Sequence, residues 1–186
     1  MGIVTILTFF VLLIGVILSL NVVMTLGLVR RLRQIHRSVS EWIPSNRFVP
    51  LPDGLSVGEP PPSFSVTDLD GGVFSKTTLD GQISVLGFFA ASCGSCRLYL
   101  PRLRDLSKRR SRDLQSLVVI DGDPAHADDL IAMGRETGRV VAGEHSAGMS
   151  GIFKVRLYPT FYVVDGSGKV AFGSNSIEDL ERYFAA

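Results

Sequence analysis

The feature that most constrains this chain is its pair of cysteines, the only two in 186 residues. They are spaced as Cys93-Gly94-Ser95-Cys96, just after the apolar run Ile83-Ser84-Val85-Leu86-Gly87-Phe88-Phe89-Ala90. That run follows the turn pair Asp80-Gly81 and reads as a buried central strand. Beyond the cysteines, Leu98, Leu100, Leu103 and Leu106 give an apolar face. Arg97, Arg102, Arg104, Lys108, Arg109 and Arg110 give a polar one, which predicts an amphipathic helix from Cys93 to about Arg110. Its cations crowd toward the carboxyl end, where the helix dipole favours them and water solvates them. Pro101 falls inside this helix and removes one of its hydrogen bonds.

A strand that ends in Cys-x-x-Cys and turns into a helix has a definite chemical consequence. The first sulfur meets the unpaired N–H groups of the first turn, a setting that lowers a thiol pKa from about 8.5 into the range of about 3.5–7.5. The second sulfur lies one turn away, within reach of a disulfide. The spacing therefore predicts Cys93 as the nucleophile and Cys96 as the resolving thiol of a thiol–disulfide exchange, with the Cys93–Cys96 disulfide as the only redox group.

Other uses of the pair are weighed against that one. Zinc takes four ligands, and there is no second Cys-x-x-Cys, so His126 and His145 would have to converge from separate loops. A metal-delivery or enzyme-maturation factor would hold copper through Cys93 and Cys96, with His145 as a further ligand. Two inert buried thiols are the third alternative. A thiol peroxidase would carry a threonine three residues before its cysteine and a proline four before that, but these positions are Ala90 and Leu86. The flanking strand and helix favour redox exchange, with no metal and no further cofactor.

Composition bounds the rest. A formal net charge of +1 supplies no global field for nucleic acid or an acidic substrate. The hydrophobic fraction, 46%, is concentrated at the amino end, where no charged side chain occurs between Met1 and Val29. A helix over residues 3–29 would run about 40 Å, enough to cross a hydrocarbon core of about 30 Å with tilt. The start lacks a basic residue, the apolar stretch is too long for a cleaved signal, and Leu28-Val29-Arg30-Arg31 offers no small-residue cleavage pair. A single-pass membrane anchor is predicted over residues 3–29. Arg30, Arg31, Arg33 and Arg37 follow at once and favour a cytoplasmic body, although long domains translocate despite such charge. A basic juxtamembrane segment and proline-rich linker occupy residues 30–55, and a folded domain residues 56–186.

Within that domain, Phe64-Ser65-Val66 and Val73-Phe74-Ser75 flank Asp68-Leu69-Asp70-Gly71-Gly72, a hairpin pattern. A strand is predicted at Leu117–Ile120, then a helix capped by Asp123 with Pro124 at its first position, then a short strand at Val140–Ala142. A short helix is predicted over Met149–Val155. A second hairpin follows through Phe161–Val164, Asp165-Gly166-Ser167-Gly168 and Val170–Phe172. A last helix opens at Ser176 with Asp179 in capping-box spacing. Strands alternating with helices and closing on a hairpin and helix predict a three-layer α/β domain.

The segment Ile83–Pro101, with Tyr158-Pro159-Thr160 and the Phe161–Phe172 hairpin, resembles the thioredoxin superfamily. The opening Val57-Gly58-Glu59-Pro60, Phe64, Asp70-Gly71 and Leu79-Asp80-Gly81 resembles its membrane-anchored TlpA-like (redoxin) branch. The span and basic stretch are similar to MauD-type accessory proteins within that branch. The resemblance implies a central mixed sheet flanked by helices, an exposed attacking Cys93, a resolving Cys96 and a cis Pro159 beside the sulfurs. It also implies substrate-binding backbone at Tyr158, Pro159 and Thr160, protein thiols or disulfides as substrates, a dithiol redox partner, and an extracytoplasmic domain. The membrane side thus stays open between charge and resemblance. Two departures stand out. Ser92 and Ser95 replace an aromatic residue and a proline, and Gly87 stands where thioredoxins carry a buried acid. Both imply a slower reaction or a dedicated partner. Asp121 and Asp123 read as turn formers, with a proton-carrying role as the alternative.

Overall fold

The computed structural model describes residues 54–110 and 113–185, together with Gly2, residues 12–15, residues 17–19 and Met24. By its contacts the chain divides into two units, Met1–Arg47 and Phe48–Ala186. In the first, the described residues are helical and exposed. Among the described residues no helix is long and apolar enough to cross a membrane. The span expected over residues 3–29 lies mostly outside them, as does the linker over residues 30–55 apart from Gly54 and Leu55.

The second unit opens with an antiparallel hairpin, β1 (Ser65–Thr67) and β2 (Val73–Ser75), and a short 3-10 turn at Lys76–Leu79. Then follow β3 (Ile83–Ala90), α1 (Gly94–Arg109), β4 (Leu114–Asp121), a 3-10 turn at Pro124–His126, α2 (Asp128–Thr137), β5 (Arg139–Ala142) and α3 (Glu144–Ile152). The order closes with β6 (Thr160–Val164), β7 (Val170–Ser174) and α4 (Ile177–Ala185). The five main strands lie in the order β5-β4-β3-β6-β7. β3, β4 and β5 run parallel, and β6 and β7 are antiparallel additions.

Both faces of this sheet are covered, which is why β3 is apolar almost throughout rather than alternating. Side chains on a strand still point to opposite faces with period two. Val85 and Phe89, with Val118, Ile120, Phe161 and Val163, pack against Leu100, Leu103 and Leu106 of α1, Leu130 of α2 and Leu180 of α4. Leu86 and Phe88, with Leu117, Val119, Tyr162 and Val164, pack against the hairpin and α3 through Phe64, Phe74, Met149 and Phe153. Each fully buried Leu, Val or Phe contributes about 1.5–3 kcal/mol by leaving water. On the second face the rings of Phe88 and Phe153 are 5.3 Å apart, and those of Phe64 and Phe153 5.5 Å. The buried Tyr162 hydroxyl is used at both ends: it donates to the Phe153 carbonyl at 2.9 Å and accepts the Leu55 N–H at 3.2 Å. Leu55 is thereby stitched to the central sheet.

The three-layer expectation holds, with local corrections. The helix expected over Met149–Val155 begins five residues earlier, at Glu144. Gly143 turns the chain with φ of +70°, and its carbonyl takes both the Ser146 N–H (3.1 Å) and hydroxyl (2.7 Å). His145-Ser146-Ala147-Gly148 carries no apolar period, so its helicity depends on the packing of Met149 and Phe153. The helix expected after Asp123 is split. Asp123 caps only the turn at Pro124–His126, accepting the Ala125 N–H at 3.0 Å, and α2 starts afresh at Asp128. Leu98 is not part of the buried face of α1. Buried positions fall at Cys96, Leu100, Leu103 and Leu106, and Leu98 between them is 70% exposed. At α4 the capping spacing works: Ser176 Oγ accepts the Asp179 N–H at 3.2 Å. The reciprocal half is relayed, because Ser174 donates its hydroxyl to Asp179 and accepts the Ser176 N–H.

One buried carboxylate ties the hairpin to β5. Asp68 accepts the N–H groups of Asp70 (3.0 Å) and Gly72 (2.7 Å) and the Arg139 Nε–H at 2.6 Å. Burial alone would raise its pKa. The Arg139 and backbone donors outweigh that and hold the carboxyl below the ordinary value. A depressed folded pKa means the stabilisation is present above about pH 3.9 and is lost as pH falls through the folded value. Asp68→Ala is expected to cost about 2–3 kcal/mol at pH 7 in urea unfolding. The gap between variant and wild type should shrink as pH drops below about 4.

Gly87 lies between Val118 and Phe161 at the middle of the sheet, and its Cα faces α1. A Cβ there would meet Leu103 Cδ2 and Phe89 Cε2, each at 2.8 Å. Gly87→Asp therefore combines overpacking with an unpartnered buried carboxyl. It is expected to lower stability by about 3 kcal/mol or more, measured by denaturant unfolding.

Candidate active site

β3 delivers the chain to the carboxyl edge of the sheet, and the β3–α1 junction is fixed by backbone bonds. The Ala91 N–H donates to the Asp121 carbonyl at 2.8 Å, and the Cys93 N–H to the Ala90 carbonyl at 3.0 Å. Cys93 is then the N-cap of α1, with extended backbone (φ −89°, ψ 111°), and its sulfur accepts the Cys96 N–H at 3.2 Å. The Ser95 hydroxyl lies 3.2 Å from the same sulfur. Both donors, with the aligned dipoles of α1 behind them, favour negative charge on Cys93. Cys93 is half-buried and Cys96 fully buried, so one sulfur is open to a partner and the other is not. The two are joined as a disulfide with their Cα atoms 5.3 Å apart, inside the usual range.

Arg97 locks the start of the helix to its surroundings. Its guanidinium donates to the Ala91 carbonyl at 3.0 Å and to Asp129 of α2 at 2.6 and 3.2 Å. The arginine beside the cysteines is thus a brace between α1, α2 and the β3 exit.

The second wall comes from the segment before β6. The Tyr158–Pro159 peptide is cis, and the Tyr158 carbonyl oxygen lies 3.7 Å from the Cys93 sulfur, where a reduced thiol has an acceptor. Tyr158 is half-buried and packs against both core layers. Its hydroxyl donates to Asp121 at the end of β4. Burial first, and the neighbouring carboxylate second, push the phenol up to about 12. Thr160 is 1% exposed, and its hydroxyl turns inward onto the Leu157 carbonyl at 2.6 Å. Of the five residues singled out in the sequence, Cys93, Cys96 and the Tyr158 carbonyl meet at the sulfurs, Pro159 follows Tyr158 through the cis bond, and the Thr160 hydroxyl closes on the Leu157 carbonyl.

Three residues hold the site in ways that sequence reasoning did not assign: Asp121, read there as a turn former or a proton carrier, Asn175 and Arg97. Asp121 is a hydrogen-bond partner rather than only a turn former, and its Oδ1 is buried without a partner among the described residues. Asn175 donates to the Pro159 carbonyl at 2.9 Å and to Thr160 Oγ1 at 2.6 Å. Arg97 is the third. No local signal marks these side-chain pairings: Arg97–Asp129, Tyr158–Asp121 and Asn175–Thr160 join residues 15 to 37 apart in sequence, and only the Arg97 bond to the Ala91 carbonyl is shorter in range. Among the described residues no group of three or more His, Cys, Asp or Glu side chains is placed to hold a metal ion. His126 sits 3.2 Å from Asp123, and His145 is exposed on α3.

The arrangement corresponds to known proteins. Residues 57–172 match the AhpC/TSA family. The thiol-disulfide oxidoreductase ResA of Bacillus cereus is 26% identical over 133 residues, covering 69% of this chain and 77% of that protein. A thiol:disulfide interchange protein of the thioredoxin family from Chlorobium tepidum superposes with a TM-score of 0.56 at 24% identity. That match covers 69% of this chain and 94% of the other. A secreted Mycobacterium tuberculosis disulfide oxidoreductase homologous to E. coli DsbE gives a TM-score of 0.56 at 18% identity, over 66% and 94%. These two solved structures share the fold. With the match spanning more than half of its length, this chain belongs to the AhpC/TSA family.

Proposed function

We propose that this chain is a membrane-tethered thiol–disulfide oxidoreductase that exchanges disulfides with protein thiols through Cys93 and Cys96. The oxidoreductase activity rests on one observation above the others. A solvent-reachable sulfur caps a helix N-terminus, disulfide-bonded to a buried neighbour, with the Tyr158 backbone carbonyl alongside.

In the reducing direction the Cys93 thiolate attacks a substrate disulfide. A Cys93–substrate mixed disulfide forms, and the departing substrate sulfur takes up a proton. Cys96 then gives up its proton and attacks the Cys93 sulfur, expelling the second substrate sulfur, which is protonated in turn. One substrate disulfide becomes two thiols, and the enzyme dithiol becomes the Cys93–Cys96 disulfide. A dithiol partner restores it by the same two steps in reverse. The relative reduction potentials of partner and substrate set the direction.

The tether is supported by the uncharged stretch between Met1 and Val29, long enough as a helix to cross a bilayer. A single-pass membrane location follows from that reading. A topology reporter fused at the carboxyl end, in cells, assigns the side: an active exported reporter places the domain outside, an active cytoplasmic one inside. Full release of the protein by alkaline washing of membranes would contradict the tether.

For the chemistry, Cys93→Ser is expected to lower turnover of a protein disulfide by at least about a hundredfold, since the remaining sulfur, Cys96, is buried out of a substrate's reach. Cys96→Ser keeps the attack and should accumulate a mixed disulfide visible on non-reducing gels. Undiminished turnover in Cys93→Ser would remove the proposal.

A further inference from the structure

The Tyr158–Pro159 segment is pinned by side chains from the ends of two different strands. On one side Tyr158 reaches Asp121, the last residue of β4. On the other, Asn175, just past β7, donates through Nδ2 to the Pro159 carbonyl at 2.9 Å and to Thr160 Oγ1 at 2.6 Å. Thr160 uses its own proton on the Leu157 carbonyl, so its oxygen is left to accept. A carbonyl can only accept. Both partners of Asn175 therefore demand the amide nitrogen, and the orientation of that amide is dictated by the network.

Asn175 takes no part in the bonds of the sulfurs, whose partners are the Cys96 N–H, the Ser95 hydroxyl and the Tyr158 carbonyl. Its hold is on the neighbouring carbonyl. We propose that Asn175 is a positioning residue for protein substrates: by fixing the Pro159 carbonyl it keeps the Tyr158 backbone aligned beside Cys93 for an extended substrate chain. Small dithiols need no backbone partner and react without it. This inference rests on the oxidoreductase reading above.

The test uses full-length protein in detergent, with insulin as the protein disulfide and dithiothreitol as the small dithiol. Asn175→Ala is expected to raise the KM for insulin about tenfold, the equivalent of about 1.4 kcal/mol. Its kcat and the rate at which dithiothreitol reduces Cys93–Cys96 should stay within about twofold of wild type. Asn175→Asp supplies a reading that a loss of packing alone does not move. As a carboxylate it faces the Pro159 carbonyl without a proton to donate, and KM rises. Protonated, it regains the donor. Its KM relative to wild type should therefore fall back toward one as pH is lowered from about 7 to about 4.5, because the carbonyl favours the protonated form.

An unchanged insulin KM in Asn175→Ala overturns the proposal. So does a pH-independent KM ratio in Asn175→Asp, or an equal loss toward insulin and dithiothreitol in both variants. Wild-type protein that exchanges with dithiothreitol yet turns over no insulin disulfide contradicts the functional reading itself, and this proposal with it.

Discussion

The hydrogen bond from the Cys96 N–H to the Cys93 sulfur sets where α1 begins, and the site is built outward from that point. A helix needs something at its first turn to take up N–H groups that have no partner within it. Here the acceptor is a cysteine sulfur instead of the usual hydroxyl or carboxylate oxygen. One interaction thus serves both as a structural cap and as the means of stabilising a thiolate. Its geometry depends on the backbone bonds that end β3, namely Ala91 to Asp121 and Cys93 to Ala90, and on Arg97 bracing the junction to α2.

The sheet makes this arrangement rigid. β3 is its middle strand, bonded along its length to β4 on one side and β6 on the other, and both faces are packed with aliphatic and aromatic side chains. Gly87 is a consequence of that packing. Leu103 and Phe89 close over the position where a side chain would begin, so a buried acid cannot be accommodated without moving the core. Asp121 and Asp129 are instead bound to Tyr158 and Arg97, two residues that flank the sulfurs.

Much of the fold was legible because its signals are local. The apolar run at Ile83–Ala90, the two hairpins with their Asp and Gly turns, and the Ser176–Asp179 cap each express a short-range rule. The structure obeys them at those residues. Cys93 and Cys96 were legible because a three-residue spacing at a helix start has one geometric meaning. The cis form of the Tyr158–Pro159 bond was implied by resemblance, since the residues alone favour trans. What escaped was non-local. The extent of α3 depends on Met149 and Phe153 docking on the sheet, and the exposure of Leu98 depends on which helical face meets that sheet. The Asn175–Pro159 and Asp121–Tyr158 bonds join residues brought together only by strand order.

The central claim is that Cys93 is an accessible, acidified sulfur whose neighbour is shielded. The most direct measurement is the rate of alkylation of each cysteine by iodoacetamide in the reduced full-length protein, followed against pH. The account predicts that Cys93 reacts with a midpoint below the free-thiol value of about 8.5, because the helix N-terminus favours its anion, while the buried Cys96 stays unreactive over the same range. A Cys93 midpoint at or above that of a free thiol, or equal reactivity of the two sulfurs, would contradict it.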